Sequence, residues 1–196
     1  MKFYVLLISI TCLLVSTAAP NASAAPRTKY APYKISGLYL SEEEYFSLPD
    51  FLQVKVRYHY DHGVLEYVKW QRRLGVDYQH YHHWAAALVK FQRAMKPKNF
   101  SKRNYLLGRT LSEYAYLLRH CLPQNQFRYL FHLRRGEIFY MLENYSSAAD
   151  ELQMSLNYKN DHKQTYVVLS KVYEALGMKK QAREAMNKAN SLKSIE

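Results

Sequence analysis

The chain has 196 residues, with 28 Lys and Arg against 16 Asp and Glu for a formal net charge of +12, and 48% of its residues are hydrophobic. This is long enough for one ordinary domain with a real core. Two Cys residues, one of them inside an apolar leader, exclude a disulfide framework.

Lys2 precedes an apolar run over residues 3–15, and Ala22-Ser23-Ala24 then forms a small-x-small site before Ala25-Pro26. This predicts a secretory signal peptide over residues 1–24, cut after Ala24, and its bacterial style points to a periplasmic or secreted protein. The apolar run is too short to span a bilayer comfortably. Cys12 lies inside it after Ser9-Ile10-Thr11, so lipoprotein processing is not expected. Processing would leave Cys121 alone, as a small buried hydrophobe. No later segment is apolar enough to cross a membrane, so no transmembrane segment is expected after processing.

Residues 25–40 carry Pro26, Pro32 and Gly37 among charged and Tyr residues without helical periodicity, which predicts a flexible or extended segment. Ser41-Glu42-Glu43-Glu44 has the form of a capping box at a helix start. Pro49 keeps that helix short, Asp50 is placed to cap a second one through Tyr58, and Asp61-His62-Gly63 breaks it. A further helix ends at Leu74 with Gly75 as its C-terminal cap, so residues 41–75 read as short capping helices.

Asp77 reads as the N-cap of a long helix to about Met95. Lys96-Pro97-Lys98-Asn99 is then a turn, and an antiparallel partner starts at Ser101 or Asn104, runs to His120 and is closed by Leu122-Pro123. Residues 76–125 thus form a basic hairpin. From Lys90 to Arg135 there are eleven Lys or Arg residues, including Arg93, Lys96, Lys98, Lys102, Arg103 and Arg109, against the single acid Glu113. One reading is a surface for an acidic partner, such as an anionic glycan, lipid head groups or an acidic protein patch. The other is a solvated face on two long helices. Nucleic acid is the usual inference from such a charge, but export argues against it.

Residues 59–84 hold five of the eight His, together with Tyr67, Trp70, Tyr78 and Tyr81. His80, His82 and His83 invite a metal reading, because neutral imidazole is a common ligand and His80 and His83 share one helical face. No Asp, Glu or Cys completes a known spacing, and there is no HExxH or paired CxxC. The expected state is therefore hydrogen-bonded His among packed aromatics, with no metal and no cofactor; a stacking platform for sugar rings is a third reading. Catalysis is not expected either, since the chain has no Gly-rich phosphate loop, no Gly-x-Ser-x-Gly elbow and no partner set for Cys121.

Residues 126–196 contain the strongest pattern. From Tyr129 onward the chain reads twice with a period of 34: Leu133 matches Val167, Gly136 Ser170, Phe139 Tyr173, Leu142 Leu176, Ala148 Ala182 and Leu152 Met186. Apolar and small residues fall at steps of three and four on both sides of a break, at Glu143-Asn144-Tyr145-Ser146 in one copy and Gly177-Met178-Lys179 in the other. Each copy is two amphipathic helices folded into a hairpin. Trp70, Leu74, Gly75 and Tyr78, followed by Ala87, Phe91 and Ala94, imitate a third copy, but Gly75 and Gly136 are not a multiple of 34 residues apart.

The small, aromatic and Ala positions met by Ser170, Tyr173, Gly177, Ala182 and Ala189 resemble the tetratricopeptide repeat (TPR) family. Glu143 stands where that family has Gly, and neither copy closes with Pro. The leader, Leu48-Pro49 and the block from Trp70 to His83 are also similar to a group of exported proteobacterial TPR proteins, which implies no particular activity; where that group has Tyr-Cys, this chain has Trp84-Ala85. The expectation is an all-α, TPR-like stack of about three antiparallel helical hairpins preceded by short capping helices. The resemblance implies a protein-binding adaptor of the cell envelope, with a groove lined by Leu133, Glu137, Tyr140, Val167, Lys171 and Glu174, of which Leu133 and Val167 could instead be core. A metal-binding protein using His80, His82 and His83 is the alternative.

Overall fold

Ser41 opens the first helix as its sequence requires. Its hydroxyl accepts from the Glu44 amide at 3.2 Å, and the Glu44 carboxylate accepts from the Ser41 amide at 2.9 Å, so both halves of the capping box are made. The computed structural model describes residues 33–35, 37–59 and 61–192, all within one compact unit. The signal peptide expected over residues 1–24 lies outside these described residues, as does most of the 25–40 segment.

The described residues are mostly helical: α1 (Glu42–Phe46), α2 (Asp50–Arg57), α3 (Leu65–Leu74), α4 (Tyr81–Ala94), α5 (Phe100–His120), α6 (Arg128–Met141), α7 (Tyr145–Tyr158), α8 (Lys163–Ala175) and α9 (Lys179–Ser191). No described helix is long and apolar enough to cross a membrane. Three pairs, α4 with α5, α6 with α7 and α8 with α9, are joined by short turns and pack along their lengths, while α7 also packs on α8 and α5 on α6.

Where it is described, the segment expected to be flexible or extended forms a short ribbon, β1 (Lys34–Ile35) paired antiparallel with β2 (Leu38–Tyr39), with Ile35 and Leu40 buried in the core. Three local expectations are corrected. Asp50 is the first residue of α2 rather than its cap; Pro49 takes the cap position, where its missing N–H does no harm. Asn99, not Ser101 or Asn104, caps α5, its side chain accepting from the Lys102 amide at 2.9 Å.

The third concerns Asp77. A single 3-10 stretch, Val76–His80, precedes α4, and Asp77 is buried within it instead of capping the helix. Its carboxylate accepts from the Leu122 amide at 3.0 Å and from the Asn125 side-chain amide at 2.6 Å, tying the start of α4 to the connection after α5. Asn125 in turn donates to the Tyr81 hydroxyl and accepts from the Phe127 amide. The Phe127 ring then stacks on Phe51 and meets Trp84, which joins the short N-terminal helices to α6. Cys121 is buried beside this network, and burial pushes its thiol up to about 12, with Asp77 adding to the rise.

A second core, Leu133, Ala148, Leu152, Val168, Leu169 and Val172, lies among α6, α7 and α8. It exists because α6 and α7 approach closely at Gly136, where an added Cβ would stand 2.6 Å from Leu152 Cγ and 3.3 Å from the Ala148 carbonyl oxygen. Thirty-four residues on, Ser170 donates its hydroxyl to the Ala182 carbonyl at 2.8 Å, so the matching pair, α8 and α9, also meets through small residues. Glu143 takes φ of 60°, near the 76° of Gly177 in the equivalent turn. The backbone needs a left-handed residue there, and Glu supplies it under strain.

Gly136→Ala should lower stability by roughly 1–2 kcal/mol, because overpacking against the buried Leu152 outweighs the gain in helix propensity. Gly108→Ala, in open space on α5, should raise it by up to about 1 kcal/mol, and urea unfolding of both variants checks the signs. Glu143→Gly should stabilise by roughly 0.5–1 kcal/mol, read as a higher thermal midpoint.

Candidate functional site

The repeat helices α6 and α8 carry the six residues expected to line a groove. Leu133 is core, and Glu137 is buried and accepts from Arg134 at 2.6 Å, so neither is offered to a partner. Tyr140 is half-buried; burial raises its hydroxyl above the ordinary value, with nearby Tyr145 and Glu174 adding to the rise. Val167 and Lys171 are half-buried and Glu174 is exposed. Val167, Lys171 and Glu174 are spaced for one face of α8. A different face of α8, with Tyr166, Leu169 and Tyr173, borders a solvent-open hollow of about 280 Å³ between α7, α8 and α9.

A carboxylate on α7 that no motif marks steadies this region. Glu151 accepts from His132 at 2.8 Å and from Arg135 at 2.6 Å. Burial opposes its ionisation, but these two bonds hold its carboxyl below the ordinary range. The His132 ring also stacks on Tyr158.

The histidines of the other half meet across α4 and α5. His83 donates to Glu113 at 2.5 Å, and Lys90 donates to the other oxygen of the same carboxylate. The His83 ring stacks on Tyr116, whose hydroxyl lies 3.3 Å from His80 Nδ1. His82 donates from Nδ1 to the Gln79 carbonyl at 2.9 Å, and its ring lies 4.4 Å from His59 and 4.3 Å from His83. The three residues of the metal alternative therefore direct their Nδ1 atoms to three different partners. Among the described residues, no group of three or more His, Cys, Asp or Glu is placed to hold a metal ion.

Beneath this cluster Lys55 is buried, donating to the Tyr67 hydroxyl at 2.8 Å with its ammonium over the Tyr67 and Tyr78 rings. Burial lowers it to about 8. Nothing in the spacing around Lys55 signalled this position, since a Lys on a short helix is ordinarily solvated.

The eleven basic residues are divided by the fold. Lys90, Arg93, Arg134 and Arg135 are paired with carboxylates, and Arg128 donates to the Leu118 and Cys121 carbonyls at the end of α5. Arg93 makes two bonds of 2.7 Å to Glu44, so the capping-box carboxylate also anchors α1 to α4. Lys96, Lys98, Lys102, Arg109 and Arg119 are exposed, and Arg103 is half-buried with its guanidinium over Phe100. Comparison with known proteins finds no matching family model, no matching curated protein and no matching solved structure.

His59, His80 and His82 all titrate below the ordinary histidine range, because burial disfavours the charged ring and neighbouring cationic groups add to it; His82 falls to about 3. Each is a base with a folded-state value below its unfolded one. The unfolded chain takes up the extra proton first, so the stability these residues contribute is full above pH 6.5 and falls as the pH drops, for His82 until about 3. Unfolding free energy should therefore decline between about pH 7.5 and 5, before the carboxylates protonate. His82→Gln should lessen that decline in urea titrations at the two pH values.

Proposed function

We propose that this chain is a non-catalytic adaptor of the bacterial cell envelope, whose helical hairpins form a TPR-type stack that binds another envelope or secreted protein. The observation that carries this reading is the pair of hairpins α6–α7 and α8–α9, related by the 34-residue period and each closed through small residues, with Lys171 and Glu174 outside the core and Tyr140 half-buried at its edge. Helical repeats of this kind cannot bury their apolar faces singly, and stacking them leaves an extended binding surface. The leader over residues 1–24 supports export, which makes nucleic acid a poor partner and a periplasmic or secreted protein a good one.

Exposed Lys residues at the junction of α4 and α5 support a second contact, with an acidic partner. The alternative, metal binding through His80, His82 and His83, has little to support it, since no group of three or more His, Cys, Asp or Glu among the described residues is placed to hold a metal ion.

The test is capture of a stoichiometric protein from envelope extract, compared with a Lys171→Glu, Glu174→Lys variant. The wild type should retain one partner that the variant loses by at least about tenfold, with unchanged thermal midpoint, since both side chains lie outside the core. Equal retention by the two would overturn the groove assignment.

A further inference from the structure

At one end of the α4–α5 hairpin the exposed cations are interleaved with exposed apolar side chains. Met95, Lys96 and Lys98 lie in the turn, and Phe100 and Lys102 in the first turn of α5. Phe100 is 59% exposed and Met95 45%. Two contacts bring further apolar groups to the same end. The Tyr39 carbonyl accepts from Arg93 at 2.5 Å, and Ser47, next to Phe46, accepts from Gln92 at 3.0 Å. Phe46 is 63% exposed and Tyr39 55%.

These four large side chains are left exposed to water at one end of the hairpin. A soluble polyanion would be satisfied by the Lys residues alone and has no use for Phe100, Met95 or Phe46. A bilayer surface uses both, since aromatic and aliphatic groups enter the interfacial layer while Lys meets the head groups. Glu42 and Glu43, exposed on α1, are the opposing charges at this end. Arg93 and Glu44 neutralise each other and hold the two parts together. No described helix can cross the membrane, so contact would be with its surface.

We infer that this end docks on an anionic lipid surface, with Phe100, Met95 and Phe46 inserted and Lys96, Lys98 and Lys102 on the head groups. The inference rests on the proposed second contact with an acidic partner and names that partner. It is independent of the α8 surface.

Flotation of the purified chain with phosphatidylcholine vesicles, with and without phosphatidylglycerol, tests it. Binding should require phosphatidylglycerol and weaken as salt rises. Lys96→Gln, Lys98→Gln, Lys102→Gln combined should weaken it on the order of 100-fold, and Met95→Ser with Phe100→Ser about tenfold. Equal binding to phosphatidylcholine alone, or no effect of the triple variant, would overturn the inference. So would an unaffected Met95→Ser, Phe100→Ser variant displaced from vesicles by heparin, which would assign the end to a soluble polyanion. Protein capture through α8, measured on the same preparations, separates the outcomes: if it persists while vesicles are not bound, the membrane inference alone fails.

Discussion

Leu152 rests where a side chain at position 136 would be, and this close approach sets the geometry of the second half of the chain. With no Cβ on Gly136, α7 settles against α6, and Leu152, Leu133 and Ala148 form a floor on which Val168, Leu169 and Val172 of α8 can pack. Ser170 and Ala182 repeat the small-residue contact between α8 and α9. A larger residue at 136 would open the first pair and thereby shift the platform under the second. The proposed binding surface depends on that platform, because Tyr140 belongs to one pair and Lys171 and Glu174 to the other.

In the first half of the chain the organising groups are buried carboxylates. Glu113 gathers His83 and Lys90 between α4 and α5, Glu44 holds Arg93, and Asp77 holds the connection after α5. Bonds from these cationic groups hold the Glu44 and Glu113 carboxyls below the ordinary range although burial opposes it. Their effect on function is indirect: they take Lys90 and Arg93 into ion pairs and leave Lys96, Lys98 and Lys102 exposed at the α4–α5 turn. A net charge spread evenly over two helices would be only a solvated face, whereas Lys96, Lys98 and Lys102 beside Phe100 and Met95 form a surface with a specific chemistry.

Local signals written in a few adjacent residues were legible in the sequence. The capping box at Ser41, the stop at Gly75 with φ of 77°, and the repeat helices to within a residue or two follow from short-range chemistry and periodicity. What the sequence hid was long-range. Asp77 has the type and position of an N-cap, yet its carboxylate serves amides 45 and 48 residues away. Glu44 reads as half of a capping box and is also the anchor for Arg93, while Lys55 and Glu151 owe their burial to helices that meet them only in the folded chain. The candidate groove was implied by the family resemblance alone; that Leu133 and Glu137 are buried depends on how the neighbouring helices cover them. The division of eleven basic residues into paired and exposed sets could not be read before the partners were placed.

Site-specific photo-crosslinking in intact cells tests the central claim most directly, with the crosslinker placed in turn at Tyr140, Lys171 and Glu174 and, on other faces, at Gln153, Tyr166 and Arg183. The account predicts one discrete crosslinked protein from the first three positions and none from the others. Crosslinks of equal yield from both sets, or from the second set alone, would contradict a binding surface formed by α6 and α8.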